Sequence, residues 1–222
     1  MVLDRAGRAR SAPAARRPVT VIEVYADIWC PFAHVGLRAV ARRRQQLGRT
    51  GVVLRARAWP LELVNGAPLD PATTASHVED LRVQVAPDLF RHFDTASFPT
   101  TTLPALGVAA AAYRRDGATG EAVSLALRDA LFEEGRDISR PDVLADVATA
   151  HGLAAGATDD AAVLTEWREG QRRGVKGSPH FFCGDLESFC PSLEISKDPL
   201  GHLVLGRNID RLDAFLAGCF TI

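Results

Sequence analysis

The feature that most constrains the fold is the change from a strand pattern to a helix pattern around Cys30. Residues 19–27 are rich in β-branched and aromatic side chains, which predicts a strand. After Pro31, apolar residues recur at helical spacing, which predicts a helix that ends near Gly48. Cys30 is therefore predicted to lie at a helix N-terminus, where unpaired amides and the helix dipole favour a thiolate.

The pattern then continues through a second strand into a long helical stretch. Residues 52–59 predict a strand ended by Pro60, so that strand, helix and strand form a parallel βαβ unit. Between 61 and 174 the sequence is dominated by alanine, leucine and charged residues, and no strand pattern is found. The helices predicted there span 71–85, 106–115, 119–134, 141–151 and 160–173, and Ser139 is the expected cap of the fourth.

Strand patterns return after Gly174. They cover a short strand reaching Cys183 and the stretches 192–196 and 202–205, which flank a turn. Asn208 is expected to cap a final helix. At the other end of the chain, residues 1–18 are rich in arginine and alanine and lack the apolar core of a secretory signal. We predict a disordered basic leader there.

Composition excludes several classes of protein. With 222 residues, 47% hydrophobic and 24% charged, the chain is typical of a globular protein with a full core. The formal net charge of -1 gives no electrostatic reason to expect nucleic acid or an anionic membrane as a partner. The 4 cysteines are too few for a disulfide scaffold. We therefore expect a cytoplasmic protein, in which any disulfide is transient and catalytic.

The chain resembles the DsbA family of thioredoxin-like proteins, and more closely its cytoplasmic branch, which includes FrnE-type proteins and 2-hydroxychromene-2-carboxylate isomerases. The stretches that carry the resemblance are 27–36, which contains Trp-Cys-Pro-Phe-Ala-His, 132–139, which reads Phe-Glu-Glu-Gly-Arg-Asp-Ile-Ser, and 175–179, which reads Val-Lys-Gly-Ser-Pro. The resemblance implies an α/β, thioredoxin-like fold with βαβ and ββα halves around a mixed sheet. The thioredoxin-like domain would comprise 19–60 and 175–222, with a helical insertion over 61–174.

The resemblance also implies an active site. Cys30 would be the catalytic thiol, and the bond before Pro179 would be cis, so that the backbone of Ser178 faces the thiol and pairs with an extended substrate. The chain departs from the family at Ala33, where the oxidoreductases have the second cysteine of a Cys-x-x-Cys pair. Because that thiol releases the mixed disulfide formed by the first, Cys30 can attack but cannot be resolved within the motif.

Residues beside Cys30 have two interpretations each. Trp29, Pro31 and Phe32 either form an apolar wall for a substrate or belong to the core. His34 lies one helical turn beyond Cys30, where it either stabilises a thiolate and handles protons or is a solvated helix residue. The arginines that follow at 38, 42, 43 and 44 are most simply a solvated helix face.

The remaining cysteines leave three alternatives open. Cys190 replaces the missing partner of Cys30, or Cys183 and Cys190 form a disulfide of their own, or both are reduced and pack as small hydrophobic residues. A metal site is not expected, because the spacing of cysteine and histidine is unlike that of zinc sites. Cys219 is expected to pack within the final helix.

The first functional hypothesis is a cytoplasmic DsbA-family thiol oxidoreductase that works through Cys30 alone by forming mixed disulfides with a thiol or disulfide substrate, either a small molecule or a protein. The second is a glutathione-dependent isomerase or transferase in which Cys30 contacts the bound thiol. The third is a non-catalytic binding module. No tightly bound cofactor is expected, whereas glutathione or another low-molecular-weight thiol would be a co-substrate. The oligomeric state is left open, with a homodimer as one option.

Overall fold

The structure of the protein, a computed structural model, describes residues 20–49 and 51–220. The predicted basic leader therefore lies outside the described residues. The elements follow in the order β1 (Thr20–Ala26), α1 (Pro31–Gln46), β2 (Val52–Ala58), α2 (Leu61–Asn65), α3 (Pro71–Gln84), α4 (Leu103–Arg115), α5 (Gly117–Phe132), α6 (Pro141–Ala150), α7 (Asp160–Arg172), β3 (His180–Cys183), β4 (Leu186–Phe189), β5 (Leu193–Lys197), β6 (Leu203–Arg207) and α8 (Ile209–Phe220). None of the described helices combines the length and the apolar composition that crossing a membrane requires.

The central sheet has the strand order β2-β1-β3-β4. β1 pairs in parallel with β2, as the βαβ unit predicts, and antiparallel with β3, which forms a hairpin with β4. Helices α1 and α8 pack on the sheet, where Ile22, Leu37, Phe181 and Leu216 share one apolar core. The predicted α/β thioredoxin-like fold with a mixed sheet is confirmed. The stretch 61–174, described throughout, contains helices and no strand.

The structure corrects the sequence prediction at several points. β4 was not predicted, because its residues are mostly exposed and the strand is short. β5 and β6 exist as predicted but pair only with each other, in a separate two-stranded sheet. The N-terminal cap of α6 is Arg140 rather than Ser139, whose hydroxyl instead donates to the Asp137 carboxylate at 2.6 Å.

The edge strand β2 is covered by the helical insertion. Its outward N–H groups donate to side chains of α5, α4 and α7: Leu54 to Glu121, Ala56 to the hydroxyl of Tyr113 and Ala58 to Glu166, each at 2.9 Å. The Tyr113 hydroxyl also donates to the carbonyl oxygen of Leu54 at 2.9 Å. An open edge would leave these groups unpaired or available to another chain. The insertion therefore completes the sheet.

Each of the four arginines of α1 pairs with an acidic side chain, and three of the four are partly buried, so the predicted solvated face applies only to Arg42. They pair as Arg38 with Asp129, Arg42 with Asp88, Arg43 with Asp213 and Arg44 with Glu121. These acids belong to α5, to the loop after α3 and to α8. The helix that begins at Cys30 is thus attached to the insertion and to the C-terminal helix.

We expect Glu166→Ala to destabilise the protein by about 2 kcal/mol or more, because it leaves the buried N–H of Ala58 without its acceptor and removes one of the two carboxylates that bind Arg57. Urea denaturation measures the change. The matched control is Glu169→Ala on the same helix, where an exposed pair with Arg172 is lost and a change within about 0.5 kcal/mol is expected. Equal losses in both variants would show that Glu166 does not hold the strand edge.

Candidate active site

Cys30 is the N-terminal cap residue of α1. Its backbone is extended (φ -78°, ψ 112°), and Pro31 begins the first turn. The side chain of Cys30 makes no capping hydrogen bond to the first turn, and Sγ donates to the carbonyl oxygen of Ser178 at 3.1 Å. The predicted position at a helix N-terminus is confirmed, and the thiol faces the loop that leads into β3.

That loop is held against both β1 and α1. The Ser178–Pro179 peptide bond is cis, and the Ser178 hydroxyl oxygen accepts a 3.0 Å hydrogen bond from the N–H of Asp27. On the other side, a Cβ atom at Gly36 would lie 3.1 Å from Cγ of Pro179. The absence of a side chain at Gly36 therefore lets the helix pack directly on the proline ring.

Burial changes the acidity that the sequence led us to expect of Cys30. The side chain is 4% exposed, and this loss of solvation raises the pKa of the thiol. The Ser178 side chain and the backbone of Ala33 and Phe32 act against this shift, whereas the charge of Asp27 adds to it. The expected lowering of the pKa is therefore wrong for this state, because desolvation outweighs the donors of the helix N-terminus.

A buried carboxyl group lies next to the thiol and was not singled out from the sequence. Asp27 is fully buried, and its carboxylate accepts hydrogen bonds from the N–H groups of Ile28 at 2.7 Å and Leu61 at 2.5 Å. Burial, only partly offset by these bonds, raises the pKa of Asp27 to about 6. The group is thus mostly ionised at neutral pH. An acid that ends an apolar strand three residues before a reactive cysteine was the available signal.

A buried guanidinium accompanies this carboxyl group. Arg128 is 1% exposed and donates to the carbonyl oxygen of Asp27 at 3.3 Å and to the hydroxyl oxygen of Ser124 at 2.7 Å. Desolvation lowers the pKa of Arg128, and the charges of Asp27 and Cys30 oppose that shift. The surroundings of the thiol therefore contain one buried group of each charge. Nothing in the sequence distinguishes Arg128 from the surface arginines of the other helices.

Of the apolar residues around Cys30, some are buried in the core and one is partly exposed to solvent. Trp29 is fully buried and stacks on Phe98, with ring centroids 5.7 Å apart, so the core interpretation describes it. Pro31 is also buried. Phe32 is partly exposed and lies against His77, with centroids 5.4 Å apart. Of Trp29, Pro31 and Phe32, Phe32 is the one that is accessible to solvent.

His34 joins α1 to the insertion. It is 0% exposed, so the solvated alternative is wrong. Its Nε2 atom is 2.8 Å from the Glu133 carboxylate, and its ring packs against those of Phe90 and Phe132. Burial lowers the pKa of His34 despite Glu133. The imidazole is therefore neutral and donates to Glu133, and its direct contacts are with the insertion rather than with the Cys30 sulfur.

The segment 132–139, one of the three recognised in the sequence, forms this junction. Burial alone would raise the pKa of Glu133, but hydrogen bonds from His34 and from the N–H groups of Phe90 and Arg91 lower it to about 2. Gly135 follows with φ 64°, and a Cβ atom there would lie 2.3 Å from the carbonyl oxygen of His92. Only glycine fits both requirements. The segment is thus explained by its structural role.

Cys190 is close to the active-site loop. It is 2% exposed, and its N–H donates to the carbonyl oxygen of Pro179 at 3.2 Å. Burial raises its pKa to about 12, and the charge of Cys30 adds to the shift. Cys30 and Cys190 are thus hydrogen-bonded to two consecutive residues, Ser178 and Pro179.

The other two cysteines belong to the core. All four cysteines, which lie within the described residues, are free. Cys183 and Cys190 stand at opposite ends of the β3–β4 hairpin, roughly 13 Å apart at the usual rise per residue, so the predicted alternative of a disulfide between them is wrong. Cys183 instead contacts the thiol of Cys219 on α8, where burial and this neighbour raise the pKa of Cys219. Within 20–49 and 51–220, no cluster of three or more His, Cys, Asp or Glu could hold a metal ion.

Comparison with known proteins connects this geometry to a family. The model of the DSBA-like thioredoxin domain matches residues 21–198. Similar solved structures include a probable DsbA oxidoreductase from Streptomyces coelicolor, with 18% identity, TM-score 0.65, and coverage of 91% of this chain and 90% of that one. The cytosolic disulfide reductase DsbM from Pseudomonas aeruginosa with GSH has 19% identity, TM-score 0.60, and coverage of 91% and 100%. A 2-hydroxychromene-2-carboxylate isomerase has 16% identity, TM-score 0.60, and coverage of 90% and 95%. At these identities the structures share the fold, and the sequence matches none of the curated proteins compared with it.

We expect Asp27→Asn to increase the rate at which iodoacetamide alkylates Cys30 at pH 7 by about 3- to 10-fold, because loss of the negative charge lowers the pKa of the thiol. Peptide mass spectrometry measures the rate. The pKa of Asp27 is about 6, so the wild-type carboxyl is protonated near pH 5. The alkylation rates of the variant and the wild type should therefore become equal there. Asp142→Asn, at an exposed pair with Arg140, is the control. A ratio that does not change with pH would contradict this coupling.

We expect Glu133→Gln to reduce the loss of unfolding free energy that the protein shows as the pH falls. The pKa of Glu133 is about 2, below its ordinary value of 4.5, so its contribution is complete above about pH 5 and is lost as the pH falls towards 2. The variant should lose about 1–2 kcal/mol of unfolding free energy at pH 7 but less at pH 3. Urea midpoints at both pH values measure this. Glu134→Gln, an exposed neighbour, is the control, and the same loss at both pH values would contradict the prediction.

Proposed function

The chain belongs to the family of DSBA-like thioredoxin domains, and we propose that it is a thiol oxidoreductase that works through Cys30 alone by forming mixed disulfides. The observation that carries the proposal is the placement of the Cys30 thiol, at the N-terminus of α1 and 3.1 Å from the carbonyl oxygen of Ser178. Because Ala33 stands at the fourth position of the motif, the reaction differs from that of a Cys-x-x-Cys pair.

The reaction begins with the thiolate of Cys30. It attacks one sulfur of a substrate disulfide, the S–S bond breaks, and the other sulfur leaves as a thiolate that takes up a proton. The N–H groups of Phe32 and Ala33 stabilise the attacking thiolate. When the Cys30 proton is lost, the Ser178 carbonyl oxygen no longer accepts from Sγ and becomes free to accept an N–H of an extended substrate. Phe32 then offers the neighbouring apolar contact.

Burial of the thiol makes this a slow reaction in the absence of a bound substrate. Because the pKa of Cys30 is raised, little thiolate is present at neutral pH, and the rate of exchange should increase with pH. Asp27, mostly ionised at pH 7, is placed to influence the proton on the sulfur. A cytoplasmic location and a low-molecular-weight thiol such as glutathione as co-substrate remain predictions.

A second candidate follows from the same burial. A neutral Cys30 thiol acts as a hydrogen-bond donor, as it does towards Ser178, and in a glutathione-dependent isomerase or transferase it would contact the bound thiol without forming a disulfide. This enzyme would bind reduced glutathione saturably and turn over a small conjugated substrate. A non-catalytic binding module would do neither, and Cys30→Ala would leave its partner's affinity unchanged.

The test uses oxidised glutathione as substrate. We expect Cys30 to lose its free thiol and reduced glutathione to be released at a rate that increases steadily from pH 7 to pH 9, because the thiolate fraction rises. Peptide mass spectrometry locates the modified cysteine. Cys30→Ser should abolish the reaction, whereas Cys183→Ser, in the core pair with Cys219, should not. A Cys30 thiol that stays free up to pH 9 while reduced glutathione binds saturably would favour the second candidate and refute the first.

A further inference from the structure

Cys30 and Cys190 are hydrogen-bonded to consecutive carbonyl groups of one loop, Cys30 through its thiol and Cys190 through its backbone N–H. The Cys30 sulfur donates to the carbonyl oxygen of Ser178 at 3.1 Å, and the N–H of Cys190 donates to the carbonyl oxygen of Pro179 at 3.2 Å. Cys190 directly follows β4, which pairs with β3 up to His180 and Phe189. The hairpin therefore brings Cys190 to the end of the sheet where Cys30 begins α1.

The backbone of Cys190 has a conformation that costs free energy. Its φ of 49° lies in the left-handed region, which residues with a side chain seldom adopt. The surroundings hold it there, because its carbonyl oxygen accepts hydrogen bonds from the N–H of Leu193 at 3.2 Å and from Arg211 at 2.9 Å. Such conformations cluster at functional sites. The segment from Cys190 to Leu193 is thus fixed in place rather than free to move as a loop.

The charges of the two thiols act on each other. The thiolate of Cys30 contributes to the raised pKa of Cys190, after burial. Cys219, in contrast, has the thiol of Cys183 as its partner. Of the cysteines in the chain, Cys190 is therefore the one whose place in the fold matches a second thiol for Cys30.

We propose that Cys190 is the resolving thiol of Cys30, which supplies through the β3–β4 hairpin the partner that Ala33 does not provide in the motif. This inference rests on the first step of the proposed function, the mixed disulfide at Cys30, and departs from it in that a second thiol of the protein then breaks that disulfide. It adds a second catalytic residue, 160 positions away along the chain, and makes the protein a dithiol enzyme of unusual arrangement.

The resolving step balances without a further reagent. With oxidised glutathione as the disulfide substrate, Cys30 attacks one glutathione sulfur, forms a mixed disulfide and releases one glutathione thiolate. The thiolate of Cys190 then attacks the Cys30 sulfur, the bond to glutathione breaks, and a second glutathione thiolate leaves. Two protein thiols have been oxidised and one glutathione disulfide has been reduced. The two protons lost by the cysteines are taken up by the two glutathione thiolates.

The burial of Cys190 predicts the order and the speed of the steps. Its pKa of about 12 keeps it protonated at neutral pH, so Cys30 reacts first and resolution follows slowly. Because the thiolate fraction increases tenfold per pH unit well below the pKa, the second step should accelerate by about that factor per unit. Once Cys30 is in a disulfide, its charge no longer acts on Cys190, which makes the resolving thiol easier to ionise.

The experiment compares the full chain with Cys190→Ala and with the matched control Cys183→Ala after treatment with oxidised glutathione at pH 8. Intact-mass and peptide mass spectrometry without reduction distinguish a glutathione adduct on Cys30 from a Cys30–Cys190 bridge. We expect the bridge in wild type and in Cys183→Ala, with two equivalents of reduced glutathione released. In Cys190→Ala we expect the glutathione adduct on Cys30 to reach at least ten times its wild-type level, with one equivalent of reduced glutathione released.

The outcomes separate the two proposals. If wild type accumulates the Cys30 adduct to the same level as Cys190→Ala and forms no bridge, Cys190 is not the resolving thiol and the single-thiol function stands. If Cys30 reacts in none of the three proteins, the proposed function fails and this inference fails with it. A bridge from Cys30 to Cys183 or Cys219 would also overturn the assignment.

Discussion

The open edge of β2 is the constraint on which the rest of the structure depends. A strand with one unpaired side must satisfy its N–H and C=O groups elsewhere, and here Glu121, Tyr113 and Glu166 of the insertion do so. The insertion is therefore a part of the sheet's hydrogen bonding rather than a domain resting on its surface. Since β2 also pairs along its whole length with β1, which leads directly to Asp27 and Cys30, the helices that cover the edge also determine where the thiol lies.

Enclosure by the insertion gives the active site its electrostatic character. A cysteine at a helix N-terminus is ordinarily more acidic than a free thiol, but here Cys30 is surrounded by Trp29, the cis-proline loop and the buried pair of Asp27 and Arg128. Desolvation and the carboxylate outweigh the amides that point to the sulfur. The same shielding keeps His34 neutral and directed to Glu133. The fold thus shields the thiol from solvent and keeps it protonated at neutral pH.

Local sequence patterns predicted what depends on local structure. The β1–α1–β2 unit, the strand-free stretch, and the position of Cys30 follow from periodicity and from one proline at the start of a helix. What depends on tertiary burial was not predictable. The sequence of an arginine-rich helix does not show which arginines will pair with acidic side chains, and it does not show that Arg128 is buried. β4 was missed because an exposed strand of four residues has no apolar alternation. The acidity of Cys30 was predicted in the wrong direction because a helix N-terminus is visible in sequence, whereas desolvation is not.

The substitution at the fourth motif position takes on a different meaning once the fold is known. Sequence alone shows that Ala33 removes the second thiol of the motif, and leaves Cys190 as one of three alternatives for the remaining cysteines. In the fold, Ala33 is buried against the sheet, while the β3–β4 hairpin returns a cysteine to the loop that already contacts Cys30. A resolving thiol on a hairpin differs from one on the helix in having no amide donors to lower its pKa, and burial raises that pKa instead. The mixed disulfide should therefore live longer than in a Cys-x-x-Cys protein, which gives a small thiol in solution time to compete with Cys190.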